Sequence, residues 1–307
     1  MNNSEQRSPL PFRKVLVGLT CSDADAELIR YAGMLARGAR DTGFQFVHVL
    51  GTPESSATLE PAEAHDEIRA SVQAHFGAEE HGMAWSCNVV EGSRVDGLLK
   101  FALREGNDLI LIGHRQIRTG RRSLARRLAM NAPCSLWMVP AGSHSAITRV
   151  MAAVDFSSHS ARALSAAGAV CASAGAEQCM ALNVYFNDIA IAGGKTVGEL
   201  KQIYKAEFDR FMQPLELHDV SLKPMLEESL RVPAAIIRIA KRHGVDLIVM
   251  GTRGRSPSAA ILLGSETEQM IMETRTPILI VKALGERLGV LEVLLRPDRR
   301  KEPVLAG

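Results

Sequence analysis

Short apolar runs alternate with amphipathic stretches along most of the chain. A short apolar run bounded by polar residues is typical of a strand that is buried on both faces. Such runs predict strands at residues 15–19, 44–50, 85–90, 109–113, 135–139, 150–155, 178–185, 222–226, 247–251 and 278–281. Stretches between them, such as 160–171 and 234–241, have the periodicity of helices. Strands that alternate with helices predict right-handed βαβ units and a parallel sheet covered on both faces.

This pattern occurs twice. The segment 246–251 repeats the segment 108–113, which lies 138 residues earlier. The last strands repeat with a larger offset of 144 residues, from Pro133 to Pro277. The difference between the two offsets, 138 and 144 residues, places a deletion of about six residues in the first half, after its fourth strand. The sequence therefore predicts two tandem Rossmann-like α/β domains, each with a five-stranded, mostly parallel sheet and helices on both faces.

The most informative stretch of the chain follows the predicted strand 247–251. Gly251 and Gly254 stand at the strand exit, and Gly264 and Ser265 stand at the start of the next helix. Glycine lets the backbone come close to a ligand. A helix N-terminus presents free N–H groups and the positive end of its dipole, to which serine adds a hydroxyl. The stretch therefore predicts a site for a phosphate chain.

The deletion in the first half removes the corresponding stretch there. We therefore divide the chain into residues 1–142, a degenerate copy, residues 143–283, an intact copy, and residues 284–307, a C-terminal extension. The junction is placed in the small polar stretch that begins at Gly142.

The Gly-x2-Gly-x9-Gly-Ser spacing from Gly251 to Ser265 resembles the ATP-binding signature of the universal stress protein family. The stretch from Val154 to Ser157 resembles that family's first-strand exit, where an aspartate meets the adenine. The resemblance covers nearly the whole chain as two tandem copies, closely in the second and in outline in the first. It implies a cytoplasmic, stress-responsive regulatory protein that binds ATP, with or without Mg²⁺, in its second copy.

The resemblance also assigns roles to individual residues. Asp155 and Val184 are expected to contact the base. Ribose and phosphates are expected to be held by Met250, Gly251, Gly254, Gly264 and Ser265. An alternative for Asp155 is the N-cap of the following helix, since aspartate favours that position. The two copies are expected to pair through their last strands as an internal pseudo-dimer, with a homodimer of whole chains as a further alternative.

Two positions depart from the family pattern. Ser229 stands where a glycine is usual after the third strand of the second copy. Glu266 follows Ser265, where a small or apolar residue is usual, and its negative charge near phosphates would weaken binding unless the side chain points away.

An arginine-rich segment occupies the damaged loop of the first half. Its six arginines are Arg115, Arg118, Arg121, Arg122, Arg126 and Arg127. One interpretation is a solvated basic helix face. The other is a surface for an anion or an acidic protein partner, because arginine grips phosphate and carboxylate groups well. The second interpretation carries the main alternative function, a protein–protein interaction module that works without nucleotide.

Composition bounds the remaining classes of function. A net charge of +2 over 307 residues does not require a nucleic acid or a membrane surface as partner. The first residues lack the apolar core of a signal peptide, and no apolar run reaches the length of a membrane span. We therefore expect a cytoplasmic protein that binds neither nucleic acid nor membranes.

The chemistry-bearing side chains form no recognisable catalytic or metal-binding pattern. The five cysteines include no Cys-x-x-Cys pair and no zinc spacing, so free thiols and no metal site are expected. Cys87 and Cys134 lie in apolar strand patterns and are expected to be buried. No nucleophile is paired with His114. The chain is expected not to be an enzyme, with slow ATP hydrolysis left as a third alternative.

Overall fold

The structure of the chain is a computed structural model. It describes residues 11–37, 41–51, 60–77, 84–114, 124–186, 197–213, 215, 220–253 and 263–282. Gly254, most of the arginine-rich segment and the C-terminal extension predicted at 284–307 lie outside the described residues.

Strands and helices alternate along the described residues. The strands are β1 (Lys14–Leu19), β2 (Gly43–Leu50), β3 (Trp85–Glu91), β4 (Leu109–His114), β5 (Ser135–Pro140), β6 (Arg149–Ala153), β7 (Gln178–Tyr185), β8 (Leu222–Glu228), β9 (Leu247–Gly251) and β10 (Ile278–Val281). The helices are α1 (Asp25–Arg37), α2 (Pro61–His75), α3 (Arg94–Glu105), α4 (Leu124–Asn131), α5 (Ser158–Ala174), α6 (Val197–Met212), α7 (Val232–His243) and α8 (Ser265–Glu273). Every predicted strand is therefore present, with ends that differ by no more than two residues.

All ten strands belong to one sheet, in the order β3-β2-β1-β4-β5-β10-β9-β6-β7-β8. Neighbouring strands within each half are parallel. The halves meet where β5 and β10 pair antiparallel, with Leu279 opposite Trp137. The structure thus confirms the predicted fold class and the pairing of the two copies through their last strands.

Helices cover both faces of the sheet because successive strand residues point to opposite faces. Val15 and Val17 of β1 belong to one apolar cluster, together with residues of α1, α2, α5 and α6. Leu16 belongs to a second cluster, which includes residues of α3, α4, α7 and α8. Each cluster runs through both halves, so the two copies share one continuous pair of core layers.

The internal repeat extends to the polar contacts at the amino ends of the strands. The carboxylate of Asp108 accepts hydrogen bonds from the backbone N–H groups of Arg13 and Lys14, at 2.7 and 3.0 Å. In the second half the carboxylate of Asp246 accepts from those of Thr148 and Arg149, at 2.8 and 2.9 Å. Each aspartate ties the chain before its own strand to the start of the neighbouring strand.

Polar contacts also join the two halves at their junction. The Lys282 ammonium donates to the carbonyl oxygen of Ala132 at 2.7 Å, at the carboxyl end of α4. A cation is favourable there because the helix dipole ends in partial negative charge. Arg126 of α4 forms an ion pair with Glu268 of α8. The junction therefore combines a sheet ladder with a charged contact from the end of β10 to α4 and an ion pair between α4 and α8.

A buried histidine lies beside the same junction. His114 ends β4, and its Nε2 has no hydrogen-bond partner among the described residues. Burial lowers the pKa of the His114 imidazole below its ordinary value, and a hydrogen bond with the Ile271 backbone of α8 offsets part of that effect. The folded protein therefore favours the neutral ring.

The buried imidazole predicts a pH dependence of folding. In the unfolded chain His114 takes up a proton near its ordinary pKa of about 6.5, whereas in the folded chain it stays neutral to lower pH. Its contribution to the free energy of unfolding is expected to be lost as the pH falls below about 6.5, by at most about 1.4 kcal/mol per pH unit. Urea unfolding of the wild type and of His114→Gln between about pH 7 and about pH 5 checks this. Equal pH slopes in the two proteins would contradict it.

The described cysteines are free thiols. Cys134 is buried as predicted, but the expectation for Cys87 is wrong, because its side chain is only half-buried. The reason is its position on β3, which lies at the edge of the sheet and is covered less completely than the central strands. Partial burial still raises the pKa of the Cys87 thiol to about 11.

Candidate functional site

The candidate site lies where the carboxyl ends of β6 and β9 meet. These strands are neighbours in the sheet, with Met151 opposite Ile248. From β6 the chain proceeds to β7 on one side, and from β9 it proceeds to β10 on the other. In doubly wound sheets ligands bind at such a switch point, because the connections diverge there and leave a crevice.

Asp155 follows β6 at this crevice and does not cap α5. The N-cap of α5 is Ser157, whose side chain accepts a hydrogen bond from the Ser160 backbone at 3.2 Å. The Asp155 carboxylate instead accepts from the Ser157 N–H at 3.1 Å and from the Ser157 hydroxyl at 2.6 Å. The cap alternative for Asp155 is therefore wrong, and its half-buried carboxylate is fixed in orientation at the strand exit.

The turn that presents Asp155 has an unusual backbone. Phe156 has a φ of 65°, in the left-handed region that residues with a side chain rarely adopt. Its ring packs on Phe208 and Phe211 of α6, with centroid separations of 5.6 and 5.4 Å. Aromatic packing thus offsets the cost of the turn and holds the strand exit in place.

β7 contributes two residues beside Asp155. Val184 is half-buried near the carboxyl end of the strand, as a base contact requires. Asn183 is buried, and its Nδ2 donates to the Val154 carbonyl oxygen at 2.8 Å, which fixes the residue before Asp155. Sequence reasoning did not select Asn183. The repeat could have done so, because the equivalent His48 contacts the Leu19 carbonyl oxygen in the same way, at 3.2 Å.

The end of β9 is packed tightly against α5. Met250 is buried, and a side chain on Gly251 would place its Cβ 3.0 Å from backbone atoms of His159. Such a contact is too short, so the close approach of the helix already explains glycine at position 251. This glycine is therefore weak support for a ligand, although it lies where the sequence predicts one.

Gly264 has a different explanation, because the fold leaves room for a side chain there. Its φ of −69° and ψ of 149° are ordinary extended values. A Cβ would lie 3.4 Å from its nearest neighbour, the Thr252 carbonyl oxygen, which is normal van der Waals contact. Glycine at position 264 is thus not required by packing or by backbone conformation among the described residues.

Gly264 is the N-cap of α8 and has no side chain with which to cap it. The first N–H groups of a helix have no intrahelical acceptor, so those of α8 need an outside partner. The helix start is tied to β9 by the Gly264 N–H donating to the Thr252 carbonyl at 2.8 Å and by the Thr267 hydroxyl donating to the Gly251 carbonyl at 3.0 Å. Ser265, the first residue of α8, is exposed. The arrangement is a fixed, accessible helix N-terminus of the kind that binds anions.

The two departures from the family pattern are resolved differently. Glu266 is exposed on the first turn of α8. Ser229 accepts a hydrogen bond from the Arg231 backbone on its hydroxyl at 3.2 Å, and its own N–H donates to the Tyr185 carbonyl at 2.8 Å. Ser229 therefore organises the turn between β8 and α7.

A cavity of about 400 Å³ opens beside that turn. It is lined by Ser229, Leu230, Arg231, Ala234, Ala235 and Arg238. It lies at the end of the edge strand β8, beyond β7, and its lining includes none of the predicted nucleotide residues. We place the candidate site at β6 and β9 instead, because the switch point and the uncapped start of α8 lie there.

The first half differs at the corresponding strand exit. Thr20 follows the carbonyl that His48 contacts, as Asp155 follows the carbonyl that Asn183 contacts, so Thr20 occupies the position that Asp155 has in the second half. Its N–H and its hydroxyl both donate to the carboxylate of Asp25, at 2.9 Å each. Asp25 is only 6% exposed, so this carboxylate serves the turn itself. The first half thus lacks an aspartate at the strand exit, in addition to the deletion in its loop.

Two arginines of the arginine-rich segment are described. Arg127 is exposed, as a partner surface requires. The Arg126 side chain is only 24% exposed and contacts Glu268 of the second half. Arg115, Arg118, Arg121 and Arg122 lie outside the described residues. The partner-surface hypothesis accordingly depends on residues other than Arg126.

The described ranges contain neither a metal-binding cluster nor a membrane-spanning helix. They contain no group of three or more histidine, cysteine, aspartate or glutamate residues placed to hold a metal ion. None of the helices in this part of the chain has the length and apolar character needed to cross a membrane.

Together the sheet order and the strand-exit geometry define a tandem Rossmann-like α/β protein. The model of the Universal stress protein family matches residues 11–140 and again residues 146–282. The chain therefore belongs to the universal stress protein family, with two copies of the domain in tandem. The predicted boundary between residues 142 and 143 falls in the interval between the two matches, and the exact division stays a prediction.

Individual relatives support the same assignment. Universal stress protein MJ0577 of Methanocaldococcus jannaschii is 38% identical over 87 residues, which are 27% of this chain and 54% of that protein. The chain thus spans about half the length of this curated relative.

Solved structures are similar over most of the chain. A putative universal stress protein from Pseudomonas aeruginosa UCBPP-PA14 has a TM-score of 0.67 at 16% identity, and the match covers 93% of this chain and 97% of that one. A universal stress protein from Archaeoglobus fulgidus has a TM-score of 0.63 at 18% identity, covering 88% and 96%. At such identities the similarity shows the fold alone.

Proposed function

We propose that this protein is a cytoplasmic regulator of the stress response that binds one ATP per chain in its second half. The observation that carries the proposal is the start of α8. Among the described residues, packing does not require glycine at position 264, and no side chain caps the N-terminus of α8 beside the exposed Ser265. Phosphate oxygens would satisfy these N–H groups and interact favourably with the helix dipole.

The base would lie on the other side of the crevice. The Asp155 carboxylate is held at the β6 exit by Ser157, and Val184 offers an apolar surface on the adjacent strand. Met250 and Gly251 would contact the ribose, which would lie between the base and the phosphates. Gly254 would complete the phosphate contacts. Mg²⁺ would enter with the nucleotide, since it binds readily to phosphate oxygens with few protein ligands.

The first half is proposed to bind no nucleotide. Thr20 replaces the aspartate at its strand exit, and the Asp25 carboxylate already accepts hydrogen bonds from the turn. The loop that would carry the glycines is shortened in the sequence. The copy would then serve the second half structurally and present partner surfaces.

Calorimetric titration with ATP, with and without Mg²⁺, tests this proposal. We expect one site per chain, because only the second half has the aspartate and the complete glycine pattern. At a hundredfold excess of ATP over its dissociation constant, the free energy of unfolding should rise by about 2.7 kcal/mol if only the folded state binds.

Three other results would change the assignment. Two equivalent sites per chain would show that the first half is not degenerate. No heat and no stabilisation at saturating ATP would favour the interaction module that works without nucleotide. Steady-state release of phosphate from bound ATP would show that the protein hydrolyses ATP slowly.

A further inference from the structure

An ion pair connects the first half to the helix that begins the proposed phosphate site. The Arg126 Nε of α4 donates to Glu268 Oε1 of α8 at 2.5 Å. The two side chains are 24% and 37% exposed, so the pair is partly shielded from water. The residues are 142 positions apart in the sequence, and each belongs to a different copy of the domain.

Glu268 lies close to the N-terminus of α8. It is three residues beyond Ser265, which corresponds to about 4.5 Å of rise along the helix axis. Its own N–H donates to the Gly264 carbonyl at 2.9 Å, so it belongs to the first hydrogen-bonded turn. A carboxylate at this position is favourable for the helix itself but opposes a second anion at the same helix end.

The charge of Glu268 therefore matters to any polyphosphate bound at Ser265. An uncompensated carboxylate within one helical turn would repel it, and partial burial would keep salt from screening the repulsion fully. Arg126 supplies the compensating positive charge from the other copy. Glu266, by contrast, is exposed to solvent.

We propose that the first half tunes the nucleotide affinity of the second half through Arg126, which neutralises Glu268 beside the phosphate end of the site. This inference rests on the proposed function. Arg126 acts through Glu268 and is a positioning residue for charge, not a ligand of the nucleotide. The first copy would then contribute to binding although it holds no nucleotide of its own.

The test exploits the fact that two different substitutions break the same ion pair with opposite effects on local charge. Arg126→Gln leaves Glu268 uncompensated and is expected to weaken ATP binding by roughly three- to tenfold. Glu268→Gln removes the carboxylate and keeps the positive charge of Arg126, so ATP binding is expected to tighten. In the double variant both charges are gone, and the dissociation constant should return to within about twofold of wild type.

Four further measurements separate charge from structure. The weakening in Arg126→Gln should be largest for ATP, smaller for ADP and smallest for AMP, because the number of phosphate charges falls in that order. It should shrink as salt is raised. Arg126→Lys keeps the charge and should bind ATP like wild type. Arg127→Gln is the matched control, since it removes an exposed arginine from the next position of α4 and should bind ATP like wild type.

The outcomes distinguish a failure of the proposed function from a failure of this inference. Wild type that binds none of the three nucleotides would overturn the proposed function and this inference together. If the wild type binds ATP and Arg126→Gln binds it with equal affinity, the inference alone is overturned. Weakening by both Arg126→Gln and Glu268→Gln, or equal loss of ATP, ADP and AMP, would show that the pair holds α8 in place and would also overturn it.

Discussion

Replacing Gly264 with valine is expected to lower the affinity for ATP by at least about a hundredfold, more than the loss of one charged hydrogen bond. The branched side chain would stand at the N-terminus of α8, in the space that phosphate oxygens must enter to reach the N–H groups. The backbone accommodates a side chain there, because the φ of −69° suits valine and a Cβ would lie 3.4 Å from its nearest described neighbour. Calorimetry gives the affinity, and thermal unfolding without nucleotide checks the fold.

A graded substitution provides the control. Gly264→Ala adds only the first carbon of that side chain and should lose less affinity than valine. Gly251→Ala is the contrasting case, since its Cβ would lie 3.0 Å from the backbone of His159 and should destabilise the protein without any ligand. If Gly264→Val binds ATP as tightly as the wild type, the phosphates do not bind at the start of α8.

Ser265→Ala is expected to weaken ATP binding by about ten- to a hundredfold. The substitution keeps the backbone N–H and removes the exposed hydroxyl from the first position of α8. A hydrogen bond to a charged group contributes roughly 1.5–3 kcal/mol, and about 1.4 kcal/mol corresponds to a factor of ten in affinity. Titrations with ATP and with inorganic triphosphate measure the effect, and both ligands should be weakened, because the hydroxyl acts on the phosphates.

Asp155→Ala is the matched comparison at the other end of the site. It should weaken ATP while leaving triphosphate binding nearly unchanged, because Asp155 is proposed to contact the base. Removing this carboxylate also releases the Ser157 hydroxyl, so the thermal stability of the variant must be measured alongside. If Asp155→Ala and Ser265→Ala both bind ATP like wild type, the nucleotide is not at the carboxyl ends of β6 and β9.

The strands could be predicted from sequence because both faces of the sheet are covered. Buried parallel strands are continuous apolar runs, and their period is not needed to recognise them. Errors occur where other physics ends or extends a strand. β6 stops at Ala153 because the left-handed turn at Phe156 redirects the chain. β8 continues to Glu228, because an edge strand tolerates polar residues. The apolar run therefore ends before the strand does, and the hydrophobic pattern does not show where β8 ends.

The candidate site was predictable where it depends on neighbouring residues and not where it depends on distant ones. The uncapped start of α8 and the cap at Ser157 follow from short stretches of sequence. The contact between Arg126 and Glu268 does not, because it joins residues 142 positions apart whose meeting depends on the pairing of β5 with β10. The sequence alone therefore assigned Arg126 to an external surface, whereas the structure shows it engaged within the chain.

The antiparallel pairing of β5 with β10 makes the junction approximately two-fold symmetric. The symmetry need not be exact, because the two copies belong to one chain and differ in sequence. In a dimer of identical chains, any contact across the two-fold axis must occur twice. Here the repeat offset of 144 residues makes Met270 the counterpart of Arg126, and Leu124 the counterpart of Glu268. Met270 is buried in the shared core, and the apolar side chain of Leu124 is partly buried and packs against it. Because the two copies are one chain, one side of the axis can hold a charged contact while the counterpart positions on the other side are apolar.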